Sequence, residues 1–226
     1  MNKKLALVLY RYFPYGGLQK DFMEIAKELL SRGNTLKVYT RSWEGEFPDD
    51  LEIIQLGETG ISNYSKNKKF IKKAFKALGD FEPDIIFGFN KMPGLDLYFA
   101  ADTCFAFQSQ SKPFLQRYTR RFRQSIKYEE EVFSRDVSTK TLLLNNKQLN
   151  EFSKFYSTPS NRMTLVPPGI DRDWSTYKPI NIRERLSIPP EDKVLLFVGS
   201  DFSRKGLDRA ILALSYLLKK KKSATL

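Results

Sequence analysis

Short runs rich in aliphatic and aromatic residues recur along the chain, each about as long as a strand, and stretches with helical periodicity separate them. The runs are LALVLY (Leu5 to Tyr10), TLKVYT (Thr35 to Thr40), EIIQL (Glu52 to Leu56), DIIFG (Asp84 to Gly88), LYFAA (Leu97 to Ala101) and TLLLN (Thr141 to Asn145). Strands covered on both faces read as near-continuous apolar runs of this kind, and helices between successive strands make a parallel sheet the economical topology. The class this predicts is α/β.

Two helices are explicit. Leu18, Phe22, Ile25, Ala26, Leu29 and Leu30 recur at i, i+3, i+4 spacing, and Gly33 follows as a C-terminal cap. From Lys66 to Leu78 the apolar residues Phe70, Ile71, Ala74, Phe75 and Leu78 form one stripe, and lysines 66, 68, 69, 72, 73 and 76 take most of the remaining positions. The ordinary reading of those lysines is a solvated face.

Proline density around Val166-Pro167-Pro168-Gly169, Pro179 and Pro189-Pro190 predicts a linker over residues 167–192, after a first domain over residues 1–166. The pattern then restarts. KVLLFVG (Lys193 to Gly199) reads as a buried strand, SDFSRKG as a loop, and LDRAILALSYLLKK as a helix with Leu207, Ile211, Leu214 and Leu218 on one stripe. This is the opening β-loop-α unit of a second nucleotide-binding-type domain over residues 193–226. An ordinary domain takes roughly 100–150 residues, so the expectation is an incomplete second domain.

With 226 residues, 41% hydrophobic and 14% aromatic, the chain can bury one core and begin another. An arginine and two tyrosines interrupt the apolar start before it reaches signal-peptide length, and no run approaches the roughly 18 apolar residues of a membrane span. The lone Cys104 builds no disulfide frame. These features set a cytoplasmic location as the expectation. The chain has no histidine, which excludes a Ser-His-Asp triad, a Cys-His pair and a histidine-ligated zinc. A net charge of +12 and a pI near 9.6 point to an anionic partner: nucleic acid, an anionic membrane or a phosphorylated substrate.

Three segments carry candidate chemistry. In YFPYGGLQKDF, Gly16 and Gly17 sit between the first strand and the first helix, where backbone N–H groups can approach a phosphate; a tight turn without ligand is the alternative. In Gly199-Ser200-Asp201-Phe202-Ser203-Arg204-Lys205-Gly206, adjacent Arg204 and Lys205 at a helix start can hold a diphosphate and stabilise charge developing on it; a solvated basic loop is the alternative. From Lys112 to Lys127 there are six basic residues and no acidic one. A helix opened by Pro113 would put Phe114, Leu115, Tyr118, Phe122 and Ile126 on one face with arginines flanking it, which suits an anionic membrane surface. The alternative is that this stripe packs on its own sheet. No recognised nucleic-acid motif accompanies the charge, so no nucleic-acid partner is expected.

These residues also resemble a known family. GSDFSRKGLDR, YFPYGGLQKDF, RSWEGEFP, GFNKMPGLDLYFAAD and LVPPGID are similar to segments of the retaining family 4 glycosyltransferases, and the similarity runs over essentially the whole chain. The resemblance implies a GT-B architecture, with the acceptor bound mainly by the first domain and a UDP-sugar mainly by the second. It implies hexosyl transfer, glucosyl in the first instance, to the heptose of the lipopolysaccharide inner core. The chain would then work peripherally on the inner face of the inner membrane, docked through Phe114 to Ile126. Carried over by position, Gly16 and Gly17 face the donor phosphates, Asp21 lies at the cleft, and Arg204 with Lys205, next to Gly199, bind the diphosphate. Asp102 stands where many relatives keep a histidine near the reacting sugar, as a positioning residue or a weak base, with positioning favoured. The implied reaction is front-face: the departing phosphate takes the acceptor proton, with no metal and no cofactor besides the UDP-sugar substrate. The glutamate pair that holds the donor sugar in the family has no counterpart up to Leu226, and the expectation is that residues 1–226 alone transfer no sugar. A non-catalytic basic membrane-surface module is the rival reading.

Overall fold

The computed structural model describes residues 2–111, 113–169, 180–199, 202–220 and 224–225, apart from the side chains of residues 204, 224 and 225. The chain divides into two units, Met1–Gly169 and Ile170–Leu226. In the first unit, the described strands are β1 (Lys4–Tyr12), β2 (Thr35–Trp43), β3 (Glu52–Gln55), β4 (Ile85–Gly88), β5 (Leu97–Ala100), β6 (Lys140–Leu143) and β7 (Met163–Leu165). They form one sheet in the order β3-β2-β1-β4-β5-β6-β7, with every pairing parallel. This is the α/β, Rossmann-like architecture expected, with β7 as an addition. Only Met163 of β7 is buried, so its sequence carries too little apolar pattern to announce a strand.

Burial on both faces fits the place of β1 in the interior of the sheet, between β2 and β4. Leu5, Leu7 and Leu9 enter one core layer with Phe22, Val38 and Phe87, while Ala6 and Val8 enter the other with Phe70, Tyr98 and Phe133. Each such side chain contributes about 1.5–3 kcal/mol when taken fully out of water. Truncating one, as in Leu7→Ala, costs about 2–5 kcal/mol.

Helix α1 (Gly17–Ser31) covers the first layer through buried Phe22 and Ala26, with Leu18, Ile25, Leu29 and Leu30 packed beside them. It ends where Gly33 takes φ +78°, a conformation that favours glycine. Helix α2 (Asn63–Leu78) starts three residues earlier than the lysine pattern suggested, because Ser62 and Ser65 form a capping box. Its buried stripe is Phe70, Ile71, Ala74 and Leu78. Lysines 68, 69, 72, 73 and 76 are exposed, as a solvated face requires, while half-buried Lys66 pairs with Glu58 at 2.7 Å.

The basic segment departs from the expected single helix. Phe114–Tyr118 is a 3-10 turn, Thr119 is extended at φ −68°, ψ 144°, and α4 (Arg120–Phe133) starts afresh after it. The Thr119 hydroxyl accepts the Phe122 N–H at 3.2 Å, so a good N-cap residue wins over continuation of the turn. The five apolar residues therefore do not share one face. Phe114, Leu115 and Tyr118 are exposed, whereas Phe122 and Ile126 are half-buried, Phe122 against Phe105.

In the second unit, β8 (Lys193–Val194) pairs in parallel with β9 (Ala224–Thr225). The expected strand to Gly199 is thus only two residues long. A short helix, α6 (Ile182–Arg185), occupies part of the segment read as linker, and residues 170–179 of that segment lie outside the described residues. The expected loop holds one helical turn, α7 (Phe202–Lys205), before α8 (Leu207–Lys219). No residue of α8 is buried; Ile211 and Leu218 are about half exposed, and Leu207 and Leu214 are half-buried.

Candidate active site

In the strand order of the first unit, the chain winds one way from β1 to β3 and the other way from β4 onward. Ligands of such sheets bind outside the carboxyl ends of the strands at this switch point. Here Tyr10 on β1, Asn90 and Lys91 past β4, and Asp102 and Thr103 past β5 meet Gln124, Ser125 and Tyr128 of α4 around a hollow of about 360 Å³. A wider limb of about 1050 Å³ shares Tyr10, Asn67, Asn90, Gln124 and Ser125 and continues past Arg41 to the start of α2.

The floor is locked by side chains. Asn90 Oδ1 accepts the Tyr10 N–H at 2.7 Å, and the Tyr10 hydroxyl donates to the Lys91 carbonyl at 3.2 Å. Burial pushes the Tyr10 phenol far above its ordinary pKa, so it stays a neutral hydrogen-bonding group. Lys91 donates to the Thr103 carbonyl at 2.9 Å and pairs with Glu129, which is wholly buried on α4. Glu129 also accepts the N–H groups of Phe105 (2.8 Å) and Ala106 (2.9 Å) and the Tyr156 hydroxyl (2.9 Å). The carboxylate thereby satisfies the open N–H groups of α3 (Phe105–Gln108) and holds the loop after β5. Burial pushes the Cys104 thiol up to about 12, which keeps it an inert packing group.

Asp102 hangs from this scaffold. Gln148 Nε2, on α5 (Asn146–Tyr156), donates to the carbonyls of Ala100 (2.8 Å) and Asp102 (3.0 Å), pinning the backbone. The Asp102 side chain is exposed toward the hollow, and among the described residues its carboxylate has no hydrogen bond or ion pair. A fixed backbone with a free carboxylate suits acceptance of a hydrogen bond from a ligand hydroxyl. The amides of Asn67, Asn90 and Gln124 add donors and acceptors of the kind that read sugar hydroxyls.

The other expected site residues lie apart. Gly16 caps α1, and a Cβ there would stand 1.8 Å from Gln19 Oε1; Gln19 in turn donates to the Arg11 carbonyl at 3.1 Å. A side chain at 16 would thus have to displace Gln19 and Phe13, whereas Gly17 faces open space. Asp21 is half-buried, and burial raises its carboxyl pKa against the opposing effect of Lys20. None of these three lines either limb. In the second unit, Lys205 Nζ lies 2.7 Å from where a Cβ on Gly199 would stand, so these two residues do come together. The Arg204 side chain lies outside the described residues; its backbone is in α7.

The sequence pattern described as Glycosyltransferase Family 4 matches residues 15–174, the span that carries Asp21, Asn90, Asp102 and Glu129. The chain belongs to Glycosyltransferase Family 4. It is 43% identical over 219 residues to the lipopolysaccharide glucosyltransferase WaaG of Escherichia coli (strain K12), which covers 94% of this chain and 59% of that protein. It also matches a crystal structure of WaaG, a glycosyltransferase involved in lipopolysaccharide biosynthesis, with TM-score 0.86 at 43% identity over 93% of this chain and 58% of that one. A glycosyltransferase from Rickettsia africae ESF-5 shares the fold at 14% identity, with TM-score 0.52 over 85% of this chain and 52% of that one. The chain thus spans a little under three-fifths of the length of WaaG.

Within this family frame, the cleft residues that the sequence did not announce include Tyr10, Asn90, Lys91 and Gln124, and Glu129, buried behind them, was not announced either. Asn90-Lys91 had a usable signal, two polar residues that follow the run DIIFG and Phe89 past a strand's carboxyl end. Glu129 had none, because its partners are 23 to 38 positions away. Arg120 and Arg121, read as part of a membrane stripe, line the wide limb.

Proposed function

We propose that this chain forms the acceptor-side part of a retaining glycosyltransferase that moves a hexose, glucose in the first instance, from a UDP-sugar to the heptose of the lipopolysaccharide inner core. The observation that carries this reading is the match to WaaG over 219 residues, together with a polar, histidine-free cleft at the sheet's switch point. In the proposed step, the bond between the sugar's anomeric carbon and the UDP oxygen breaks while the acceptor oxygen bonds to the same face. The departing phosphate oxygen takes the acceptor's proton, so no protein base is needed. Asp102 orients a sugar hydroxyl, Gly16 and Gly17, outside both limbs of the hollow, admit the donor phosphates next to Asp21, and Arg204 and Lys205 neutralise the charge that develops on UDP. No metal takes part.

The test uses a chimera in which residues 1–226 are joined to the remaining part of WaaG. Arg204→Ala should lower its turnover by roughly a hundredfold without changing its melting curve. Turnover near that of the parent removes Arg204 from the step, and turnover abolished by EDTA and restored by magnesium overturns the metal-free scheme.

A specific observation also favours docking on an anionic membrane. Phe114, Leu115 and Tyr118 are 66%, 80% and 56% exposed beside Arg117 and Arg123, and an apolar patch rimmed by arginines suits a cytoplasmic leaflet. Among the described residues, no helix is long and apolar enough to cross a membrane.

A further inference from the structure

The wide limb of the cleft is charged in a way that the transfer chemistry leaves unexplained. Arg11, Arg41, Lys69, Arg120 and Arg121 line it, and among the described residues no carboxylate does. The nearby carboxylate is Glu58, already engaged by Lys66 at 2.7 Å and by Arg41 at 3.0 Å, with Arg11 at 3.9 Å. The Lys66 hydrogen bond and the surrounding cations hold the Glu58 carboxyl below its ordinary pKa, so it is already committed as an anion. Among the described residues, Lys69, Arg120 and Arg121 have no carboxylate within ion-pair distance.

Arg41 differs from a solvated surface arginine. It is 4% exposed, its Nη1 donates to Asn67 Oδ1 at 2.5 Å, and its Nε makes no hydrogen bond among the described residues although Glu58 Oε1 is 3.0 Å away. Arg41 is thus held in one orientation between Asn67 and Glu58 and adds its buried charge to the field of the limb, while the guanidinium forks of exposed Arg120 and Arg121 match carboxylate and phosphate geometry. The helix break at Thr119 begins α4 at Arg120, and both Arg120 and Arg121 line the same limb. The neutral limb, with Asp102 and the amides, adjoins the cationic limb through Tyr10, Asn67, Asn90, Gln124 and Ser125.

We propose that the wide limb is a subsite for an oxyanion, phosphoryl or carboxylate, carried by the acceptor saccharide and held by Arg41, Lys69, Arg120 and Arg121 while the reacting hydroxyl lies in the neutral limb. The proposal rests on the transfer reading above. The same charge chemistry could serve the diphosphate of the nucleotide, so the test separates the two sources.

The 226-residue chain is titrated by calorimetry with UDP, with a neutral heptose disaccharide, and with the same disaccharide carrying a phosphate monoester. The phosphorylated disaccharide should bind about tenfold or more tighter than the neutral one, the scale of one charge-assisted contact. That preference should shrink with added salt and vanish in Arg120→Gln/Arg121→Gln, with neutral-disaccharide and UDP binding retained. Both side chains are exposed, and circular dichroism checks that the double variant keeps the parent's fold. Equal binding of both disaccharides overturns the subsite and leaves the acceptor reading standing. Loss of UDP binding in the double variant with the saccharide preference intact assigns the cations to the nucleotide and overturns it as well. Failure of both disaccharides to bind overturns the acceptor reading, and the subsite with it.

Discussion

Replacing the Glu129 carboxylate by an amide strands Lys91, whose side chain is 11% exposed, as an unpaired buried charge, and leaves the N–H groups of Phe105 and Ala106 one acceptor oxygen where they had two. Glu129→Gln should therefore lower the unfolding free energy by about 3–5 kcal/mol in urea melts. The double change Lys91→Met/Glu129→Gln should recover part of that loss, because it removes the stranded charge. A loss below about 1 kcal/mol, the scale of an exposed ion pair, would show that this pair does not hold the loop. At Asp102 the question is role. If Asp102 positions a hydroxyl, Asp102→Asn in the WaaG chimera lowers turnover at every pH and leaves the profile's shape unchanged. A general base would instead put an ionisation step in the parent's profile that disappears in the variant. Asp102 was legible only through the family resemblance, at the position where many relatives keep a histidine; its place directly after a strand-like run agrees with the strand ends at which open sheets bind ligands. Glu129 was not legible, since a carboxylate on a helix reads as solvent-facing until the fold brings Lys91 and the α3 amides to it.

The break at Thr119 decides what the basic segment does. Thr119→Ala removes the hydroxyl that accepts the Phe122 N–H and should cost about 1 kcal/mol, read from thermal melts against the parent. The sequence showed the charges and aromatics of this segment but not their division, because a capping threonine and a mid-helix threonine are the same letter until the preceding turn is placed. The strands of the first unit were more legible. Leu5 to Leu9 are buried on both faces and so had to be continuously apolar, whereas β7 buries only Met163. Glu58 ties β2 to α2 through Arg41 and Lys66. Its pKa is lower in the folded chain than in the unfolded one, so the stability it adds is present above the unfolded value and fades as pH falls through the folded value. The parent's stability advantage over Glu58→Gln should therefore be full at neutral pH and disappear in acid. An advantage that persists below the carboxylate range would assign the effect to packing instead.

At the scale of the whole molecule, a basic chain without histidine has a polar hollow with an exposed carboxylate, Asp102, and a cationic limb in the first unit, and a Gly199–Lys205 pair in the second. The exposed Phe114, Leu115 and Tyr118 make a separable prediction. Leu115→Ser/Tyr118→Ser should reduce co-sedimentation with anionic phosphatidylglycerol vesicles, while saccharide binding in calorimetry stays as in the parent. Equal sedimentation of variant and parent would remove the patch from membrane docking. Substrate identity was never legible from periodicity or charge, which narrow the partner only to something anionic; the specific segments such as GFNKMPGLDLYFAAD pointed further. The central claim is retaining transfer of glucose to the inner-core heptose. Its most direct test is to incubate the WaaG chimera with UDP-glucose and a heptose-terminated lipopolysaccharide core and to determine the new linkage by NMR. The expected product carries glucose on heptose with the donor's α-anomeric configuration preserved; a β-linked product, or no product from a folded chimera that binds UDP, would contradict it.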